Sequence, residues 1–223
     1  MPPNNNYYHG TSVAGCVSAS TDNSTGVASV GWSVKIMGLR CSANDPQYIT
    51  DGYQGILSAA HMGANVINCS WGGFGGGNQS LINSVFNSYG CVIVASAGNG
   101  DPETGNTNFD LHTPSGLNHV ISVSAIGPND NFGCWATGGT TVDLCAPGES
   151  VWTTDVNNGY HSVWGTSFSS PMTAGAAALI WSRFPDAENS WIEERIITNT
   201  DEFSDMEGTC QGVSLEGMLG TGR

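Results

Sequence analysis

Short apolar runs that alternate with helical patterns are the feature of this sequence that most constrains its fold. The runs are rich in β-branched residues and are continuous rather than alternating with polar residues, which is typical of strands covered on both faces. They predict strands at residues 34–39, 66–70, 92–97, 120–126 and 142–145. Because strands and helices alternate along the chain, we expect an α/β fold with three layers, in which helices flank a mainly parallel sheet.

Helical patterns fill the gaps between these runs. Residues 49–61 and 80–89 have the apolar spacing of helices, and Gly90 predicts the end of the second one. No linker, internal repeat or low-complexity segment divides the chain. We therefore expect residues 1–223 to form a single domain.

The C-terminal third of the chain is richer in helical patterns than the rest. Ser170 before Pro171 predicts the first turn of a long helix that glycine and alanine make thin. Farther on, Ser190 and Glu193 predict a capping box, in which two side chains satisfy backbone N–H groups at the start of a final helix.

The charge of the chain is strongly acidic, with 5 Lys and Arg residues against 19 Asp and Glu and a formal net charge of −14. Such a surface repels nucleic acid and acidic membranes, and self-repulsion favours a dispersed monomer. No apolar run approaches the length of a membrane span, and the N-terminus lacks the basic and apolar regions of a signal peptide. We therefore expect neither nucleic acid nor membrane as a partner.

Seven cysteines are spread along the chain without a C-x-x-C pair, which argues against the usual zinc and dithiol motifs. Several lie in apolar runs, as Cys69 and Cys91 do, and burial as small apolar side chains is the simpler interpretation. One to three disulfides stay open, and the odd count leaves at least one thiol unpaired within the chain. We assign no metal ligand among them.

The stretch GTSFSSP at residues 165–171 places Ser167 at the foot of a helix N-terminus. Backbone N–H groups and the positive end of the helix dipole would stabilise an oxyanion that forms beside this serine. A serine becomes a nucleophile at neutral pH when a base takes its proton. A plain N-cap serine is the alternative interpretation of the same residues.

Two more residues have the chemistry that such a serine needs. Asn99 follows the apolar run at 92–97, so its amide stands at the carboxyl end of a parallel strand, where open α/β sheets bind ligands. That amide can donate to an oxyanion, although an ordinary loop asparagine has the same sequence context. His9 opens a helical pattern that contains Gly15, whose cost of about 1 kcal/mol in helix propensity indicates a close backbone contact.

Five stretches of the chain together resemble the subtilisin-like serine peptidases and follow that family's order. They are HGTSVAG around His9, VINCSWGG at 66–73, VIVASAGN at 92–99, APG at 146–148 and GTSFSSP at 165–171. Five matches in register are a far more specific signal than a single GTS triplet. The resemblance covers nearly the whole chain and implies a subtilisin-like fold and a secreted, extracellular parent protein.

The resemblance implies that the chain is a serine endopeptidase, a hydrolase that cuts peptide or protein substrates without a required cofactor. His9 would be the general base and Ser167 the nucleophile, while Asn99 and the Ser167 backbone N–H would form the oxyanion hole. Two extended segments would line the cleft and hold the substrate as an added strand. These substrate-binding segments are Ser70, Trp71, Gly72 and Gly73, and then Ser96, Ala97 and Gly98.

The chain departs from the family at the catalytic aspartate. The family's order is Asp, His, Ser, with the Asp on a strand well upstream of the histidine, yet only eight residues precede His9 and none is acidic. Asp22 lies beyond the histidine helix, in a turn. We therefore assign no catalytic Asp and expect 1–223 to be a partial catalytic domain that lacks this strand and is cut at both ends. In serine peptidases the loss of that aspartate slows turnover by about four orders of magnitude.

Other positions also differ from the usual family pattern. Ser12 stands where the family usually carries a second histidine, and Phe168 follows the nucleophile where the family usually has methionine. Because the neighbouring thioether is absent, we expect slower inactivation by peroxide. His112 and His161 fall in predicted loops, and we interpret both as surface residues.

A loop at residues 20–27, STDNSTGV, resembles a calcium-binding loop of some family members. Asp22, Asn23 and the carbonyls of Thr25 and Val27 supply oxygen ligands of the kind that calcium takes. A solvated Asx turn is the simpler interpretation of the same residues.

Two other classes of protein share part of the pattern. An α/β-hydrolase would need G-x-S-x-G, but Ser169 stands at the last position and the histidine precedes the serine in the chain, so this class is disfavoured. A pseudo-enzyme or impaired fragment that only binds peptides is the alternative that the absent aspartate leaves open. The presence of His9, Asn99 and Ser167 together favours an enzyme.

Overall fold

The computed structural model describes residues 8–42, 48–100, 112–131 and 135–201 of the chain. Its α-helices are α1 His9–Ser18, α2 Gly52–His61, α3 Gln79–Tyr89, α4 Thr166–Arg183 and α5 Asn189–Thr198. Its strands are β1 Val66–Cys69, β2 Gly73–Phe74, β3 Val92–Ser96, β4 His112–Thr113, β5 Ile121–Ile126, β6 Leu144–Pro147, β7 Val151–Thr154 and β8 Tyr160–Val163.

The central sheet has four parallel strands in the order β1-β3-β5-β6. Strand β3 lies in the interior of this order, where Val92 pairs with Val66 of β1 and Val94 pairs with Ile121 of β5. Every residue of β3 is buried, which explains why its sequence is apolar without alternation.

Helices cover both faces of this sheet. Val92 and Val94 of β3 pack with Ala177 of α4 and Ile192 of α5 in one apolar cluster. Ile93 and Ala95, which point the other way, pack in a second cluster with residues of α2 and α3. The predicted three-layer α/β fold with a mainly parallel sheet is therefore confirmed.

The predicted strand at residues 34–39 is wrong. This segment belongs to no strand, and the side chains of Ile36, Met37 and Leu39 are exposed. A strand requires a neighbour for its backbone N–H and C=O groups, and in the described residues β1 pairs with β3 alone. The apolar composition of the segment resembles a strand, but no pairing partner fixes it in the sheet.

The starts of the last two helices also differ from the predictions. Helix α4 begins at Thr166, four residues before Ser170, and Gly165 is its N-cap. Helix α5 begins at Asn189 after Glu188 with no side-chain cap, so the predicted capping box of Ser190 and Glu193 does not form. In α4, a contact with Asn99 rather than a local cap residue satisfies the first turn.

Strands β7 and β8 form an antiparallel hairpin outside the main sheet. The hairpin packs against α1, and α1 in turn packs against α4. This arrangement brings the start of α1 to the start of α4, although the two helices are far apart in the sequence.

The state of the cysteines and the lengths of the helices relate to the expectations about disulfides and membrane spans. Cys16, Cys41, Cys69, Cys91 and Cys145 are free thiols, while Cys134 and Cys210 lie outside the described residues. None of the described helices combines the length and the apolar character that crossing a membrane requires.

Candidate active site

The first turn of α4 is the centre of the site. Gly165 precedes it with φ of 133°, a backbone angle that favours glycine. Thr166 then donates to the Asn99 side chain from both its backbone N–H and its hydroxyl, each at 3.0 Å to Oδ1. Asn99 therefore supplies an acceptor for a backbone N–H group that the helix itself leaves without a partner.

Ser167 is the second residue of α4 and is partly exposed. Its carbonyl would normally accept from the N–H of residue 171, but Pro171 has no N–H. The Ser70 hydroxyl donates to that carbonyl instead, at 2.7 Å. The proline is thus tolerated inside the helix because the end of β1 provides the missing hydrogen bond.

Asn68 of β1 connects the residue that follows β1 to helix α4 by two hydrogen bonds. Its Nδ2 donates to Ser70 Oγ at 3.0 Å, and its Oδ1 accepts from Ser170 Oγ at 2.7 Å. Sequence reasoning missed this residue, because an amide within an apolar run was taken only as part of a strand. The available signal was the polar side chain itself, which needs hydrogen-bond partners when it lies inside a sheet.

The Asn99 amide has a fixed orientation. Its Oδ1 is occupied by Thr166, so Nδ2 is the atom that can donate to a substrate oxygen. A side chain on Gly165 would meet Nδ2 at 3.4 Å, which places this donor beside the residue that leads into Ser167. The preceding Gly98 N–H is anchored by Thr166 Oγ1 at 3.2 Å.

His9 is the first residue of α1, and its imidazole contacts the ring of Phe168 with centroids 5.6 Å apart. Phe168 is the residue after Ser167, so this contact places His9 beside the first turn of α4, where Thr166 bonds Asn99. Burial against neighbouring atoms lowers the pKa of His9 below its ordinary value of 6.5. A lowered pKa keeps the imidazole neutral, as a general base must be.

Helix α1 is held in place by hydroxyl groups of β7. Thr153 Oγ1 donates to the Ser12 carbonyl at 2.6 Å, and Thr154 Oγ1 donates to the Thr11 carbonyl at 2.8 Å. A Cβ on Gly15 would lie 2.9 Å from the backbone nitrogen of Thr154. The predicted close backbone contact of Gly15 is therefore confirmed.

The predicted substrate-binding segments differ in what they expose. Gly72 and Gly73 are exposed, and Gly98 is partly so, whereas Ser96 and Ala97 are buried. Gly73 also pairs with Thr113 as part of β2.

Trp71 packs edge-on against Tyr53 of α2, with centroids 5.8 Å apart, within the apolar cluster under the sheet. The two predicted substrate-binding segments therefore expose mainly backbone atoms rather than side chains to solvent.

The interpretation of His112 as a surface residue is wrong. The residue is 8% exposed, and its Nδ1 pairs with Ser115 Oγ at 2.7 Å. Its Nε2 lies 3.3 Å from the position that a Cβ on Gly98 would take, and its ring also borders Gly72. Burial lowers its pKa. The sequence offered no periodic signal for this position, because the ring packs against Gly72 and Gly98, which are distant in the chain.

The described carboxylate that pairs with a histidine is Asp155, and its partner is His161 rather than His9. Asp155 Oδ2 lies 3.5 Å from His161 Nδ1. His161 lies on β8 and bonds Ser12, so its interpretation as a surface-loop residue is also wrong. No described carboxylate forms an ion pair with His9.

The loop at residues 20–27 has the geometry of an Asx turn. Asn23 Oδ1 accepts from the Thr25 N–H at 3.0 Å, and Asp22 is exposed. Asp22 and Asn23 supply few side-chain oxygens where calcium takes six to eight ligands, so they do not form a calcium site by themselves. In the part of the chain that the structure describes, no three His, Cys, Asp or Glu residues form a metal-binding group.

Comparisons with known proteins agree with this geometry. Residues 2–220 match the Subtilase family of peptidases. The chain is 37% identical over 201 residues to subtilisin DY of Bacillus licheniformis. The alignment covers 88% of this chain and 72% of subtilisin DY. It is 37% identical over 205 residues to thermitase of Thermoactinomyces vulgaris. This alignment covers 91% of this chain and 70% of thermitase.

A solved structure supports the same assignment. A protease from Pseudoalteromonas arctica PAMC 21717 has a TM-score of 0.78 and 31% identity, with 96% of this chain and 67% of that protein covered. The chain therefore belongs to the subtilase family of serine endopeptidases, which are hydrolases.

Proposed function

We propose that this chain hydrolyses internal peptide bonds through an acyl-enzyme, with Ser167 as nucleophile and His9 as general base. His9 takes the Ser167 Oγ proton as that oxygen attacks the substrate carbonyl carbon. Asn99 Nδ2 and the Ser167 N–H donate to the oxyanion that forms. Collapse breaks the C–N bond, His9 passes its proton to the leaving amine, and a water molecule then releases the acyl group by the same steps.

The contact between His9 and Phe168, at 5.6 Å between ring centroids, carries this proposal. It joins the proposed base itself to Phe168, the residue that follows the proposed nucleophile, although the two are far apart in the sequence. The two hydrogen bonds from Thr166 to Asn99 Oδ1 support it further, since they leave the amide nitrogen as the donor beside Gly165. The lowered pKa of His9 suits the role of a base.

We extend the proposal to the substrate, which is a peptide or protein held as an added strand between Ser70–Gly73 and Ser96–Gly98. The exposed backbone of Gly72 supports this mode, because strand addition relies on main-chain hydrogen bonds. We also propose a monomer that acts outside the cell, in keeping with the acidic charge and with the family resemblance.

A peptide-binding protein with an impaired site is the second candidate. It is favoured by the pairing of Asp155 with His161, because this leaves His9 without a described carboxylate to orient its ring. A site with an incomplete triad retains weak catalysis, because the oxyanion hole and substrate binding still contribute to the rate.

A fluorophosphonate probe separates the two candidates. We expect the probe to label the chain on Ser167, with Ser167→Ala abolishing and His9→Ala strongly slowing the reaction. Mass spectrometry of the labelled peptide gives the site. Labelling that persists in Ser167→Ala would refute the proposed nucleophile. Binding of a peptide ligand by a folded chain that the probe does not label would support the second candidate.

A further inference from the structure

A second line of Asp, His and Ser side chains lies beside the proposed site. Asp155 Oδ2 lies 3.5 Å from His161 Nδ1, and His161 Nε2 lies 2.9 Å from Ser12 Oγ. Ser12 is fully buried and its hydroxyl donates to the Thr154 carbonyl at 2.9 Å. A substrate therefore has no access to this hydroxyl, and the cluster is not a second catalytic centre.

The cluster touches α1 on both sides of His9. Ser12 lies one turn after His9, and its N–H donates to the Tyr8 carbonyl at 2.9 Å to close the first turn of the helix. The His161 ring also contacts the Tyr8 ring edge-on, with centroids 4.7 Å apart. One imidazole thus contacts the residue before His9 and the residue three positions after it.

The hydrogen bonds of the cluster have a defined direction. The single hydroxyl hydrogen of Ser12 is donated to Thr154, so His161 Nε2–H is the donor in the bond to Ser12 Oγ. Asp155 is fixed as well, because its Oδ1 accepts from the Val156 N–H at 2.7 Å while Oδ2 faces His161. Because Nε2–H is the donor to Ser12, the contact of Nδ1 with Asp155 Oδ2 is an ion pair only when both ring nitrogens carry a proton.

We propose that His161 is a positioning residue, which fixes the first turn of α1 and thereby the ring of His9 through its hydrogen bond to Ser12. The assignment of His9 as the base rests on the proposed function. The position of the His9 ring can be measured whether or not the site turns over substrate. A rigid supporting shell matters because an error of about 1 Å in a reacting group slows catalysis by about 100-fold.

Two substitutions of His161 separate its hydrogen bond to Ser12 from its contact with Asp155. In His161→Gln the side-chain nitrogen reaches the place of Nε2 and keeps the donor to Ser12. In His161→Asn the shorter amide keeps a donor toward Asp155 but no longer reaches Ser12. Ser162→Asn changes the next residue of the same strand, which is exposed, and serves as the control. Ser12→Ala removes the bond from the other side and replaces His161→Asn if that variant fails to fold.

The readouts are the fluorophosphonate reaction and the NMR signal of the His9 ring. We expect His161→Asn and Ser12→Ala to lower the maximal labelling rate by about 10- to 100-fold with the probe affinity unchanged. His161→Gln and Ser162→Asn should stay within about twofold of the wild type. The His9 Cε1–H signal, identified by its loss in His9→Gln, should shift in His161→Asn and keep its position in His161→Gln.

Each outcome decides one of the two proposals. Equal losses in His161→Asn and His161→Gln would overturn the positioning role, because general damage to the hairpin would affect both alike. Weaker probe affinity at an unchanged maximal rate would overturn it too. If the wild type is not labelled on Ser167, the proposed function fails, and the His9 signal alone then supports or overturns the positioning role.

Discussion

The His9 imidazole packs against the Phe168 ring at a tilt of 54°, with 5.6 Å between the centroids. Phe168 is 4% exposed and belongs to an apolar cluster with Cys16, Val151 and Val163. The proposed base therefore leans on a side chain whose position is set by the core rather than by solvent. The identity of residue 168 consequently affects both the packing and the chemistry of the site.

Phe168 should make the site resistant to peroxide. We expect fluorophosphonate labelling of the wild type to survive dilute peroxide, whereas Phe168→Met should lose it, because oxidation to the sulfoxide places a polar group against His9. Mass spectrometry should follow oxidation of Met172 on the same helix as the internal control. Rapid loss of labelling in the wild type while Met172 stays unoxidised would contradict this prediction.

Gly15 should be required for the contact between α1 and β7. In Gly15→Ala the new methyl group would crowd the backbone nitrogen of Thr154, 2.9 Å away, and we expect a loss of about 1–3 kcal/mol in the free energy of unfolding. Gly10→Ala is the matched control, because nothing lies within 4 Å of the added methyl group. That control should be neutral or more stable by up to about 1 kcal/mol. Urea denaturation measures both, and equal effects would argue against the close contact.

Asn99→Asp tests the oxyanion donor with little change in shape. The carboxylate keeps an acceptor for Thr166 but removes the Nδ2 donor, so the fold should be retained while labelling slows. In a subtilisin the loss of such a donor lowers turnover by about 10²–10³-fold, and we adopt that magnitude. Thermal melting should stay near that of the wild type. A labelling rate equal to that of the wild type would remove Asn99 from the site.

The pH dependence of labelling should report the lowered pKa of His9. Desolvation by neighbouring atoms disfavours the imidazolium, so the neutral base persists to lower pH than it would in a histidine with the ordinary pKa of 6.5. We expect the labelling rate to fall to half its plateau below pH 6.5 as the pH decreases. The rate should be measured from pH 4 to 9 and compared with an NMR titration of His9. A midpoint at or above the ordinary value would contradict the lowered pKa of His9.

Glu193 should weaken the fold at alkaline pH. Burial, and then the nearby charge of Asp143, raise the pKa of Glu193 from 4.5 to about 7, so the folded chain holds this proton more tightly than the unfolded chain. Stability from this group is present below pH 4.5 and is lost as the pH rises to about 7. Glu193→Gln should therefore raise the melting temperature at pH 8 by about 2–4 °C, with little effect at pH 4. An equal shift at both pH values would exclude the ionisation as its cause.

Much of the fold could be predicted from local patterns. The run at 92–97 is apolar because both faces of β3 are covered, and this burial is visible in the sequence as a continuous pattern. The segment at 34–39 shows the limit of the same reasoning. Its composition is equally apolar, but it has no strand partner, since pairing depends on which segments lie beside it.

Helix starts illustrate a second limit. Ser170 before Pro171 is a good local start signal, yet α4 begins at Thr166 because Asn99 and Ser70 satisfy backbone groups of its first turn. These hydrogen bonds join residues that are 67 and 97 positions apart. Local sequence carries no information about partners at such separations.

By itself, the sequence determined the α/β class and the residue types at positions 9, 99 and 167, because periodicity and short motifs are local properties of the chain. Only the tertiary structure decided which histidine an aspartate accompanies. Asp155 pairs with His161, and His161 bonds Ser12 across 149 positions, while His9 rests on Phe168. The physical reason is that such pairings depend on how the β7–β8 hairpin packs on α1, which no local pattern encodes.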